Sequence, residues 1–581
     1  NGNVDASSAK LSTKTGALSV EAKKALTVTD ANLSGNTVGL TATTGSVTAT
    51  NAVIAANDSL AVTATDGKVD LSTADHSKAL IASSLTVTAG ADADLGNRKV
   101  VAATDATVTA GGSVNATEAD LQAGGALTLT AANDVLATNA KLNAQTVAVT
   151  ADQDIDLDSA QIKATDVTLS AQNSLNATSA GITGATLIAV SKTDNAAFDK
   201  ATVETTGTST VVAGGDLSAS NAVMNADGVS LTAQNGKVNA LSAKLSAKTG
   251  ALSVEANKAL AATNATLSGK TIGLTATTGS VTAQSATLTS TAATAVTAGK
   301  DIDLASAQIK ATDVALSAQN GLNATSAVIN GATLKASAKT GNAAFDKATV
   351  VTTGLATVAA GSDVSATNAV MNANGLSLTA QNGNVDASSA KLSAKTGVLA
   401  VEANKALTAA NANLSGGTID LTATTESVTA TNAVVSANEA LAVAAKTDAN
   451  LKDASFATTG AAVSLIATDG KVDLSTADHS KALNASSLMV TAEKDVDLGN
   501  RQVSTTTDTT VIADGNVNAT KTDLKALNAL SLKAGNDVLA TNAKLNGRSV
   551  AVTATTGSVT ANGISLTSTE ATAVNAGKDI A

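Results

Sequence analysis

Histidine, arginine and carboxylate side chains come together twice in this chain, and they are the residues with the most evident chemistry. His76 and His479 are its only histidines, and each lies in a TADHSKAL segment. A DLGNR motif follows in both cases and supplies Arg98 and Arg501, at the same distance along the chain from its histidine in both copies. Imidazole and guanidinium groups can bind an anion or a carbohydrate, and a carboxylate beside them would add general acid or base chemistry. These four residues are therefore the candidate binding residues.

A repeated template must position these side chains. Its pattern is V-x-A-x-x-A-x-L, and its first residue, which we call the anchor, recurs 28 times from Val4 to Ile580 at a nearly constant spacing. Apolar and polar residues alternate within each copy, which is typical of β-strands. A single short strand cannot bury its apolar face, but stacked copies close a continuous core. The sequence predicts an all-β fold over residues 1-581, a single parallel β-helix (solenoid) of about 27 coils with about 21 residues per coil.

The template also predicts where the four candidates lie. Each histidine is seven residues past its anchor, an aliphatic position in other copies, and each arginine takes the alanine position of the next coil. The coils that contain the histidines, 69–92 and 472–495, are the longest in the chain, so each should carry a loop. Because a buried unpaired charge is costly, we expect a compensated ion pair at a widened corner, with a carbohydrate or anion contact as the alternative. The possible carboxylate partners are Asp75 or Asp94 in the first copy and Asp478 or Asp497 in the second.

Composition argues against most other chemistry. A formal net charge of −11 disfavours nucleic acid and anionic membranes as partners. No apolar stretch reaches the ~18 to 20 residues that membrane insertion requires. The absence of cysteine excludes disulfides, thiol catalysis and thiolate metal sites. We predict no enzyme activity and no catalytic, cofactor-binding or metal-binding residues.

Length differences between internal copies support the stacking of whole coils. Asn51 matches Asn432 at an offset of 381, whereas Asp66 matches Asp469 at an offset of 403, so the second copy contains one additional whole coil between these positions. Both ends of the sequence fall inside a coil. We therefore expect an uncapped segment of a longer chain, with end-to-end self-association through unpaired strand edges.

The repeats resemble a known family. Runs such as GSVTATNAVIAANDSLAVTA (45–64) and GGALTLTAANDVLATNAKLNA (124–144) are similar to the haemagglutinin-type repeats of two-partner-secretion exoproteins. That group includes filamentous haemagglutinin-like adhesins and the stalks of contact-dependent growth-inhibition toxins. The resemblance implies a right-handed β-helix, export through an outer-membrane β-barrel transporter, and a secreted or cell-surface location in a Gram-negative bacterium. It carries over no functional residues.

Two functions follow from this resemblance. The first is a non-enzymatic structural shaft of a large secreted adhesin, which extends a binding region away from the cell. The alternative is the delivery stalk of a contact-dependent growth-inhibition toxin whose toxic domain lies outside this segment. Both would reach a host or neighbouring-cell surface through regions not present in this sequence.

Overall fold

The computed structural model describes residues 2–581, except for the side chain of residue 459. The chain divides into two compact units, Asn1–Thr291 and Ala292–Ala581. The described residues form 75 β-strands and no helix, and therefore no helix that could cross a membrane. Within each unit the strands pair in parallel between successive coils, which confirms a β-solenoid of about 27 turns spaced roughly 21 residues apart. Its right-handed winding and its single domain stay predictions.

Each coil has the same order of elements, and we name each coil by its anchor. A two-residue strand at the anchor is followed by a tight corner, a strand of three or four residues and a strand of five or six; in some coils of the second unit the last two merge. In the first unit the coils that carry the candidates comprise Val47–Thr48, Val53–Ala56 and Ser59–Ala64; Val69–Asp70, Leu80–Ala82 and Ser84–Ala89; Ala93–Asp94, Lys99–Ala102 and Ala106–Ala110; Val114–Asn115, Asp120–Ala123 and Ala126–Ala131. In the second unit they comprise Ala449–Asn450 and Ser455–Ala467; Val472–Asp473 and Leu483–Ala492; Val496–Asp497, Gln502–Thr505 and Thr509–Ala513; Val517–Asn518, Asp523–Ala526 and Ala529–Ala534.

The register of the short strands confirms the anchors. Val47 pairs with Leu26 on one side and with Val69 on the other, and Val69 pairs with Ala93. The predicted inward positions are buried as well, as Ala52 and Ile54 show five and seven residues after Val47. A continuous column of alanine and aliphatic side chains is therefore the core of each unit. Phe198 and Phe345 lie fully buried in it, in agreement with a packing role.

A left-handed residue forms the corner of nearly every coil. Four residues after the anchor, 24 coils have a non-glycine residue with φ between 54° and 60°, and Gly563 takes this place in the coil of Val559. Most of these residues are asparagine, serine or aspartate, whose short polar side chains tolerate this conformation. Among the described residues, only the Val69 and Val472 coils lack the corner, and these are the coils of the two histidines.

Candidate functional site at the two loop coils

In the Val69 coil, residues 73–79 leave the stacked wall as a loop. Leu80, not His76, continues the aliphatic ladder, because it pairs with Ile54 and Val100 and is only 1% exposed. His76 is exposed on the loop. The predicted place of His76 in the aliphatic ladder is therefore wrong. Leucine can be buried without a hydrogen-bond partner, whereas a buried imidazole needs one, so the chain bulges outward by four residues to bring Leu80 into register.

The second unit repeats this arrangement in the Val472 coil. Leu483 pairs with Phe456 and Val503, and His479 is exposed. The prediction for His479 is wrong for the same reason, whereas the predicted loops are confirmed in both long coils.

The loops hold their own carboxylates. Asp75 accepts a hydrogen bond of 2.9 Å from the backbone N–H of Ser77, and the backbone N–H of Lys78 returns to the carbonyl of Asp75 at 2.9 Å. Hydrogen bonding by Ser77 keeps the pKa of Asp75 below its usual value, and Ser480 has the same effect on the pKa of Asp478. These carboxylates stabilise the loop turn and do not pair with the arginines.

Arg98 is fully buried, and all its N–H groups are bonded to backbone carbonyls. It takes the predicted alanine position, but its side chain extends inside the solenoid toward the two preceding coils. Nε donates to the carbonyl of Leu71. Nη1 donates to the carbonyls of Ala52 at 2.9 Å and Lys78 at 2.7 Å. Nη2 donates to those of Ala49 at 3.2 Å and Ser72 at 3.0 Å.

The guanidinium replaces backbone donors that the loop has removed. In the Ala93 coil, the carbonyl of Leu95 accepts from the backbone N–H three residues later at 2.9 Å. The matching carbonyl in the Val69 coil is that of Leu71, and there Arg98 is the donor. The predicted ion pair is therefore wrong, since buried carbonyls and not a carboxylate compensate the charge. Burial lowers the pKa of Arg98 to about 10, and the charge of Asp70 partly opposes this shift.

Arg501 performs the same role with fewer partners. Nε donates to Leu474 at 2.6 Å, and Nη1 donates to Ala454 at 2.7 Å and Lys481 at 2.8 Å. Nη2 has no hydrogen-bond partner among the described residues. The guanidinium instead lies 5.3 Å from the ring centroid of Phe456, which occupies the place of Ile54. Burial again lowers the pKa of this arginine to about 10.

The other predicted carboxylate partners lie on the outer face of the short strands. Asp94 accepts from the backbone N–H of Gly96 at 2.8 Å and from Nδ2 of Asn115 at 2.9 Å, and it pairs in register with Asp70. Asp497 has the equivalent contacts with Gly499 and Asn518. Burial is the main reason why the pKa values of Asp94 and Asp497 are raised. Neither carboxylate contacts an arginine, which corrects their assignment as partners.

On the outer surface, His76 meets residues that the sequence argument did not single out. Its Nδ1 lies 2.9 Å from the carbonyl oxygen of Asn97 and 3.2 Å from Oδ1 of the same residue. Its Nε2 lies 4.0 Å from Oδ2 of Asp120, on the next coil but one. The structure thus brings His76 into contact with Asn97, the residue before Arg98. The side chains of His76 and Arg98 themselves lie on opposite sides of the wall. The described residues contain no group of three or more histidine, cysteine and acidic side chains arranged to hold a metal ion.

Stacked parallel coils with a sealed aliphatic core define the chain as a repeat solenoid. Residues 11–184 match the family model of the hemagglutinin repeat. That segment contains the first loop and Arg98, and the match agrees with the sequence resemblance. No curated protein and no solved structure matches the chain.

Proposed function

We propose that this chain is a non-enzymatic structural shaft of a large secreted surface adhesin. The observation that carries the proposal is the uniformity of the wall within each unit: one coil after another closes the same buried ladder. A shaft needs only this uniform wall, because regular coils are held by the coils next to them and the number of coils can change without altering the others. The hemagglutinin repeat in residues 11–184 supports an adhesin-like role.

The two loop coils fit the same function. Arg98 and Arg501 are fully buried, so a ligand in solvent cannot reach either guanidinium. Their hydrogen bonds serve the backbone of the wall. A binding role for His76 and His479 stays a prediction.

The proposal includes a location and partners. The chain is exported through an outer-membrane β-barrel transporter to the surface of a Gram-negative bacterium. It contacts host or neighbouring cells through regions outside this sequence. The hemagglutinin-repeat match, a family whose proteins are generally secreted surface adhesins, supports the secreted surface location.

Deleting whole coils from the first unit tests the shaft function. Removing residues 173–234 from the parent adhesin joins Gln172 to Asn235 and recreates a junction that closely matches the native sequence. Three coils disappear while the remaining ladders stay in register. We expect normal export, measured by surface antibody labelling, and cell adhesion that falls only with the lost reach.

A deletion that breaks the register provides the matched control. Removing residues 173–224 takes away a similar mass but half a coil less, so apolar positions would face solvent. This variant should fail to reach the surface. Loss of adhesion by the in-register variant at normal surface density would show that the deleted coils carry a binding site, and the shaft function would then be wrong for this segment.

A further inference from the structure

His76 and Asp120 face each other across a short gap on the outer wall of the first unit. The carbonyl oxygen of Asn97 can only accept a hydrogen bond, so His76 Nδ1, 2.9 Å away, carries the proton. In the neutral ring Nε2 then has the free lone pair. That atom lies 4.0 Å from Oδ2 of Asp120. Two electron-pair donors therefore point at one gap, which favours a positive charge between them.

Both donors are held in place by further contacts. Asn97 anchors the ring through its carbonyl and its side-chain oxygen, and its own backbone is fixed in the left-handed corner with φ 54°. Gln122 Nε2 donates to both oxygens of Asp120, at 3.1 and 3.2 Å. The side chains remain accessible, at 44% exposure for His76 and 16% for Asp120. A ligand from solvent can thus reach an oriented imidazole and an oriented carboxylate.

Four other charged side chains lie near the gap between His76 and Asp120, and in the described part of the chain none of them is paired with either residue. Asp75 and Lys78 lie on the loop itself, and Lys99 and Lys141 are the register partners of Asp120 on either side. Among the described residues, none of these four forms an ion pair with His76 or Asp120.

We propose that His76 Nε2 and the Asp120 carboxylate bind a divalent transition-metal ion of the Zn²⁺ class, with water in the remaining positions. Imidazole and carboxylate are ligands that such ions accept, at about 2.0–2.1 Å from nitrogen and 2.0–2.2 Å from oxygen. Two donors about 4 Å apart can therefore share one ion after a small movement of the loop. An imidazole whose other nitrogen donates to a carbonyl is the usual arrangement around a metal-bound histidine. With only two protein ligands, binding is weak and reversible.

The second unit supplies a natural comparison. His479, Asn500 and Asp523 have the same spacing as their counterparts, but Lys525 stands where the first unit has Gln122. A lysine lacks the side-chain amide that holds both oxygens of the carboxylate in the first unit. No contact between His479 and Asp523 occurs in the described structure. The site is therefore confined to the first unit.

Calorimetric titration of the full 581-residue chain with Zn²⁺, after removal of metals with a chelator, tests the proposal. We expect one equivalent at neutral pH and a loss of binding on acidification, because the imidazole must be deprotonated to bind. His76→Ala and Asp120→Asn should each weaken binding about tenfold or more, and Gln122→Lys should do the same. His479→Ala is the matched control and should bind as the unaltered chain does. Lys525→Gln should create a second equivalent.

Three outcomes would overturn the proposal. One is no uptake of Zn²⁺ by the unaltered chain, which would leave only an ion pair between protonated His76 and Asp120. Another is uptake that His76→Ala does not change. The third is an equal loss in His76→Ala and His479→Ala. Circular dichroism of each variant excludes unfolding as the cause, since the substituted side chains lie outside the core.

Discussion

Arg98 Nη1 lies 2.9 Å from the carbonyl oxygen of Ala52, which belongs to the next coil but one earlier in the chain. The Val69 coil between them has opened into a loop, so the guanidinium passes through the space that its corner would fill. One side chain thereby holds three coils together where the backbone ladder is interrupted.

Replacing this arginine should destabilise the coils around the loop. In Arg98→Ala, five backbone carbonyls lose a donor. Ala49 and Ser72 keep a backbone N–H partner, so the cost falls on the other three carbonyls, at about 1–3 kcal/mol for each unsatisfied buried group before relaxation. Arg501→Ala should cost less, because Arg501 makes three hydrogen bonds and one ring contact. Hydrogen exchange of the amides in residues 47–72 and 449–475 measures both effects. Equal protection in Arg98→Ala and the unaltered chain would contradict the assigned role.

Two neighbouring aspartates should respond to pH with opposite signs. Burial raises the pKa of Asp94, so its charge destabilises the folded chain at neutral pH and ceases to do so as the pH falls through that raised value. Asp94→Asn keeps the acceptor oxygen and should raise the melting temperature at pH 7, with the gain vanishing near pH 3.8, the usual pKa for aspartate.

The hydrogen bond from Lys68 lowers the pKa of Asp92, so this carboxylate stabilises the fold above pH 3.8 and loses that effect as the pH falls through its lowered pKa. Asp92→Asn should therefore lower the melting temperature at pH 7, and melting curves from pH 3 to 7.5 should show both differences shrinking toward acid.

The left-handed corner predicts a stabilising substitution. Lys347 has φ 57°, a conformation that costs a residue with a side chain about 1 kcal/mol relative to glycine. Lys347→Gly should therefore raise the free energy of unfolding by about 1 kcal/mol. Lys335→Gly is the control, because Lys335 lies exposed within the strand Thr333–Ala338, where glycine costs about 0.5–1 kcal/mol. If the melting temperature shifted in the same direction for both variants, backbone strain at Lys347 would not be the explanation.

The inward ladder can be tested with a buried charge. Leu267 is completely buried, so Leu267→Lys places an unpaired ammonium in the core and should cost several kcal/mol. Thr266→Lys is the matched control, because Thr266 is exposed and its register partner on the preceding coil is already Lys244. Chemical denaturation should separate the two variants clearly, and similar midpoints would mean that the alternation is assigned to the wrong face.

The sequence predicted the regular part of this fold and misplaced part of the site. Anchors, buried alanines and aliphatic ladders follow from a period that repeats over the whole chain, so the positions of Ala52 and Ile54 could be read directly. His76 was misplaced because counting seven residues ignores that Leu80 competes for the same buried position. The partners of Arg98 could not be predicted, since backbone carbonyls occur at every residue and leave no pattern. The approach of His76 to Asp120 joins residues two coils apart, and Asp120 stands at an ordinary polar position.

The loop coil and the arginine coil together form a unit that can follow different coils. Residues 64–80 and 467–483 are identical, yet the coils before them differ, with Ile54 in one and Phe456 in the other. Both arginines tolerate this difference because every hydrogen-bond acceptor they use is a main-chain oxygen, which any coil offers at the same place. A designer who grafts such a loop onto another solenoid of this type would need to transfer two coils, one with the loop and one with the arginine, and would not need to redesign the coil that receives them.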